Sequence, residues 1–136
     1  MPIQTSRKTV GEMMVKEVAT VSCMATLREA MDLMRERGVK SLVVEKRHDS
    51  DAWGILTYTT ILRTVIQEEG DVDLINVYDI STKPALTVPQ QLEVRHAVKM
   101  MLDFDIKRVI VSSNNELEGI LTMNDIVSAI LEKVDA

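Results

Sequence analysis

Apolar positions in this chain follow two alternating rhythms. Leu27, Ala30, Met31 and Met34 stand at the i, i+3, i+4, i+7 spacing of one helix face, and the stripe stops at Gly38. Thr26 followed by Glu29 is a capping box, so a helix is predicted from just after Thr26. Val94, Ala97, Val98 and Met101 repeat the spacing, with Glu93 where the capping Thr stood. Short extended stretches precede both helices, at Ala19 to Ser22 and at Leu86 to Val88. After each helix comes a β-rich run, Ser41 to Glu45 or Arg108 to Ser112, then a polar turn and a second strand, Gly54 to Thr57 or Gly119 to Thr122. Each pair reads as a hairpin. Thr60-Ile61-Leu62 and Asp125-Ile126-Val127 then open a last helix, with Thr60 and Asp125 as the expected N-caps.

The two passes are one pattern written twice. A shift of 67 positions superimposes Val10 on Val77, Lys16 on Lys83, Thr20-Val21 on Thr87-Val88, Ala30 on Ala97, Met34 on Met101, Lys40 on Lys107 and Val44 on Val111. Beyond that the polar loop EKRHDSDAW is two residues longer than its counterpart SSNNELE, after which GILT meets GILT. The predicted class is therefore α/β (α+β), two pseudo-symmetric β-α-β-β-α repeats packed through their sheets. The expected boundaries are residues 1–9 as an N-terminal extension, 10–69 as the first repeat, 70–76 as linker and 77–134 as the second repeat. Neither repeat alone reaches the size that buries a stable core, so the pair is expected to form one body.

Composition narrows the function. The chain has 136 residues, 46% hydrophobic and 27% charged, as a soluble domain does. Its apolar runs are far below the roughly 20 residues of a membrane span, and its first residues show no apolar signal core, so a cytoplasmic protein is expected. A net charge of −5 with four aromatic residues argues against a nucleic-acid surface. Cys23 is the one cysteine and reads as a small buried hydrophobe. His48 and His96 lack ligand-spaced companions, so no metal site is expected. The acidic tip with Glu45, Asp49 and Asp51 reads as solvent-facing, and Met31, Met34 and Met101 as core filler. No nucleophile and base are spaced for catalysis, and the chain is not expected to be an enzyme.

The phrase GILTMND carries the remaining chemistry. Gly119 permits close approach of another backbone or a ligand. Thr122 offers a hydroxyl, and Asp125 stands near the amides and positive dipole of a helix start, where phosphate is favoured. A carboxylate can accept both hydroxyls of a ribose. From these residues alone a simple N-cap is the favoured explanation of Asp125. In the first copy, GILTYTT, Thr60 replaces the carboxylate and cannot accept a diol in this way.

The TV-x8-A-x3-M pattern of Thr20-Val21 to Met34 and of Thr87-Val88 to Met101, followed each time by GILT, resembles a tandem pair of CBS domains, the Bateman module, over nearly all of Val10 to Val134. One departure is visible, since Val43 and Glu45, then Ile110 and Ser112, occupy the usual Pro and Asp positions. The resemblance implies clefts that bind AMP, ADP, ATP or S-adenosylmethionine as regulatory ligand, with no required cofactor, and a partner protein that responds. Carried over, Asp125 would hold ribose, Thr122 would meet phosphate, and Arg108, Lys107 and Lys40 would reach the phosphates. Adenine would lie against Ala19, Thr20 and Val21. Thr57 and Thr60 would mark a degenerate second site. The alternative is a ligand-free dimerisation and interaction module. Under either reading a homodimer is expected, closed through the apolar faces of the last helices with Ile61, Leu62, Val65 and Ile66 or Ile126, Ile130 and Leu131.

Overall fold

Thr9-x-x-Glu12 and Asn76-x-x-Asp79 lie 67 positions apart, and each starts a one-turn helix that the apolar stripes do not reveal. In the structure, a computed structural model that describes residues 7–134, these are α1 (Val10–Met13) and α4 (Val77–Ile80). Thr9 and Glu12 complete a reciprocal capping box, and the Asp79 carboxylate accepts from the Asn76 N–H at 3.1 Å. Both signals were present in the sequence. Most of the expected extension, residues 1–6, lies outside the described residues.

Between them run β1 (Thr20–Val21), α2 (Leu27–Arg37), β2 (Ser41–Val44), β3 (Gly54–Thr57) and α3 (Tyr58–Ile61), which continues in wider π-helical turns through Leu62–Gln67. After α4 come β4 (Thr87–Val88), α5 (Val94–Asp103), β5 (Arg108–Ser113), β6 (Glu116–Thr122) and α6 (Met123–Val134). The strands form two sheets of order β1-β2-β3 and β4-β5-β6, the first pair in each parallel and the second antiparallel. Asn114 and Asn115, both left-handed at φ 52° and 66°, make the tight turn between β5 and β6. Thr26 caps α2 through the predicted capping box, and Gly38 ends it in the left-handed conformation at φ 63°.

The compact units do not coincide with the sequence repeats. Residues 18–85 form one unit, and residues 7–17 join residues 86–134 in the other. The short helix that opens each repeat serves the other repeat's sheet. Val10 donates to Leu92 O at 2.7 Å and Gly11 to Gln90 O at 2.9 Å, and Val15 exchanges two bonds with Ile120 of β6, at 2.9 and 3.0 Å. In the other unit Val77 donates to Ala25 O, Tyr78 to Cys23 O, and Thr82 exchanges two bonds with Ile55 of β3, both 2.9 Å. Val77 is fully buried in the core with Leu27, Ala30, Met34, Leu42, Val44 and Leu56, and Val10 in the core with Val94, Ala97, Met101, Val109, Val111 and Leu121. The opposite sheet faces, Val43 and Ile55 or Ile110 and Ile120, are buried too, which explains why the strands read as continuous apolar runs instead of alternating.

The expected linker is also structural. Carbonyls of Ile75 and Val72 accept the first amides of α2, from Leu27 at 2.8 Å and Arg28 at 3.0 Å, and both side chains pack on the core. The acidic hairpin tip differs from its expectation as well. Asp51 is not solvent-facing: its side chain is 10% exposed and takes Lys83 Nζ at 2.6 Å and the Arg47 N–H at 2.9 Å. Lys83 comes from beyond α4, so no local reading could pair it with this loop. Those bonds, Lys83 first, hold the Asp51 carboxyl well below its ordinary 3.8.

These contacts set two expectations. A Cβ on Gly119 would stand 2.6 Å from Val15 O, whereas one on Gly54 would stand 3.2 Å from Thr82 O. Gly119→Ala should therefore destabilise by about 1–3 kcal/mol, and Gly54→Ala by clearly less, in urea unfolding. Because the Asp51 pKa is depressed, the stability it supplies is present above its unfolded value and is lost as pH falls through the folded one. Asp51→Asn should be less stable than the native chain at neutral pH, with the gap closing below about pH 4.

Candidate nucleotide site

The antiparallel register of β5 and β6 places Arg108, the first residue of one strand, opposite Thr122, the last of the other. Strand β6 passes into α6 without an intervening turn, so Thr122 becomes the cap. Its hydroxyl accepts the Asp125 N–H at 3.1 Å, and the next amide, Met123 N–H, donates to Lys107 O at 2.9 Å. Lys107, Arg108, Thr122 and Asp125 thus meet at one end of their sheet. The expectation that Asp125 is the N-cap is corrected: it sits in the first turn of the helix as its third residue, and its carboxylate takes no part in capping.

Arg108 gives this corner its electrostatics. The side chain is half-buried, and its Nε is shielded from water with no hydrogen-bond partner among the described residues. Burial lowers the Arg108 pKa, and the negative charge of Asp125 partly offsets that. A desolvated, incompletely bonded guanidinium next to the amide end of a twelve-residue helix favours an incoming anion. Lys107 is exposed and can swing toward the same place.

In the other unit the corresponding corner lacks these charges. Ser41 stands opposite Thr57, Lys40 is exposed, and the N-cap of α3 is Thr57, correcting the expectation for Thr60. The Thr57 hydroxyl makes no capping bond. Ala19 and Val21 bury their side chains in the core, and their carbonyls accept from Val43 at 3.0 Å and Glu45 at 2.9 Å. The half-buried Thr20 donates its hydroxyl to Glu45 Oε1 at 3.3 Å. What β1 keeps available is its edge backbone. Ala19, Thr20, Val21 and Lys40 all belong to the unit of residues 18–85, apart from the corner that holds Asp125. Gly119 also leaves the site, because the backbone it admits is that of Val15.

The family model for the CBS domain matches residues 10–67 and again residues 77–132. The chain belongs to the CBS-domain family. It carries two CBS domains in tandem. An uncharacterized protein of Methanopyrus kandleri is 37% identical over 119 residues, 87% of this chain. The chain spans 60% of that relative's length and less than half that of two further relatives. Among solved structures, the hexameric CBS-CP12 protein from bloom-forming cyanobacteria superimposes with a TM-score of 0.85 at 33% identity, covering 92% of this chain and 73% of its own. The CBS domain of a bacterial CNNM/CorC family Mg2+ transporter, solved in complex with ATP, shares the fold at a TM-score of 0.78 and 22% identity, covering 94% and 90%. No helix among the described residues is long and apolar enough to cross a membrane.

The two helix caps yield a direct comparison. Thr122→Ala should cost about 1 kcal/mol of stability, while Thr57→Ala should cost little, because its hydroxyl makes no capping bond. Parallel urea titrations of the two variants check this.

Proposed function

We propose that this CBS pair is a non-catalytic regulatory module that senses an adenosine-containing ligand, an adenine nucleotide or S-adenosylmethionine, and passes the change to a partner protein. The observation that carries the reading is Arg108, a half-buried guanidinium whose Nε has no partner among the described residues, held near Asp125. A phosphate or carboxylate placed against Arg108 and the α6 amides would satisfy that nitrogen. Asp125, its own N–H already taken by Thr122, would then accept the two ribose hydroxyls. Lys107 would add charge. The Thr57 and Thr60 corner has neither carboxylate nor guanidinium, so one competent site per chain is proposed. CBS-domain proteins among its structural neighbours include one solved with ATP and one described as hexameric.

Self-association is proposed alongside. Leu62 and Ile66 are 61% and 69% exposed on the helix that follows β3, and Val127 and Leu131 are 49% and 58% exposed on α6. Ile61, Val65, Ile126 and Ile130 of the expected apolar faces turn inward instead. The outward residues form the surfaces through which a homodimer would close.

A thermal-shift panel of AMP, ADP, ATP and S-adenosylmethionine tests the ligand reading. A hundredfold excess over Kd should stabilise the chain by about 2.7 kcal/mol. Asp125→Ala should abolish the shift. Arg108→Met should abolish it too, yet leave the ligand-free protein as stable as before or more so, because an unsatisfied buried donor is removed. Absence of a shift with every ligand would refute the proposal and leave an interaction module.

A further inference from the structure

A cavity of about 270 Å³ opens within the unit of residues 18–85, lined by Cys23, Met24, Arg47, Tyr78 and Lys83. It lies at the hairpin-tip end of that sheet. The Ser41 and Thr57 end, which corresponds to the Arg108 corner of the other unit, is the opposite one. Its walls are pinned. Tyr78 N–H donates to Cys23 O at 3.0 Å and Asn76 Nδ2 to Met24 O at 2.9 Å, so α4 is fixed against the turn after β1. Asp51 holds Lys83 through the ammonium and Arg47 through both its backbone N–H and Nε.

The donors are not exhausted by those bonds. Lys83 spends one of its three donors on Asp51, and the terminal nitrogens of Arg47 and the Tyr78 hydroxyl have no partner among the described residues. Among the lining residues and Asp51, two cations stand against one carboxylate. The rest of the lining is the buried Cys23, Met24, 64% exposed, and the half-exposed Tyr78.

The lining departs from the internal repeat. Gln90 and Gln91 correspond to Cys23 and Met24, and Gly11 corresponds to Tyr78. A Cβ on Gly11 would meet Gln90 Oε1 at 2.8 Å, so in the other unit the Gln90 side chain lies against the position that Tyr78 holds here. The β2–β3 loop, longer by two residues than its counterpart, supplies Arg47 and Asp51. Only Lys83, matched by Lys16, follows the repeat.

We propose that this cavity binds a small organic monocarboxylate with an apolar or aromatic body. The single net charge selects a monoanion, Arg47 can clamp a carboxylate, and the Met24, Cys23 and Tyr78 wall takes the apolar part. The volume lies just under the roughly 300–1,000 Å³ of sites for drug-sized ligands, which fits a small molecule.

Benzoate is the probe, followed through the Met24 methyl resonance of the full chain labelled at methionine methyls and assigned with Met24→Leu. Benzyl alcohol serves as the uncharged analogue and inorganic phosphate as the anion without an apolar body. Benzoate should give a saturable shift at millimolar concentration, with the other two at least about tenfold weaker. Arg47→Gln should weaken benzoate about tenfold at unchanged melting temperature. Tyr78→Phe, which keeps the ring, should weaken it by a smaller factor and so supports the assignment if Arg47→Gln proves unstable. The proposal is overturned by absence of saturation with benzoate, by equal binding of benzyl alcohol or phosphate, or by native affinity in both variants.

Discussion

Each sheet of this protein depends on a backbone pairing that its own repeat does not supply. Val15 closes two hydrogen bonds onto Ile120 of β6, and Thr82 closes two onto Ile55 of β3. In both places the preceding one-turn helix places a fully buried valine, Val10 or Val77, into the core it visits. A repeat of about 60 residues buries too little apolar surface to stand alone. Exchanging the opening segment makes each core a product of both repeats. The two glycines of GILT follow from the same exchange, since Gly119 admits the Val15 carbonyl and Gly54 the Thr82 carbonyl.

The duplicated scaffold leaves its departures easy to see, and they fall into two groups. One is the corner of Arg108, Thr122 and Asp125 against that of Ser41, Thr57 and Thr60. The register is the same, but only one copy has a desolvated guanidinium near a carboxylate. The other is the cavity bounded by Tyr78 and the longer hairpin, where the other unit sets Gln90 against Gly11. Neither difference disturbs the strands or the buried stripes, so the shared positions carry the fold and the divergent ones are free to carry recognition.

Local pattern made much of this legible. The helix stripes, the Thr26 and Gly38 caps, both hairpins and the order of elements could be read because each depends on residues within one turn or one strand of each other. The convergence of Arg108 with Thr122 and Asp125 was also accessible, because a hairpin's register follows from its turn. The caps of α3 and α6 were misplaced by three residues, since a strand that runs straight into a helix gives the cap to its own last residue. The helices α1 and α4 carried capping boxes but no apolar stripe long enough to announce them.

By itself, then, the sequence determined the element order, the duplication, the family and the one copy of GILT that ends in a carboxylate, all properties of short-range spacing. Only the tertiary structure decided which segment completes which core, that the linker of residues 70–76 feeds its carbonyls to α2, and that Asp51 pairs with Lys83. Those pairings join residues tens of positions apart. Their energy comes from burial and from satisfying backbone groups across that distance, and no local window of sequence contains both partners.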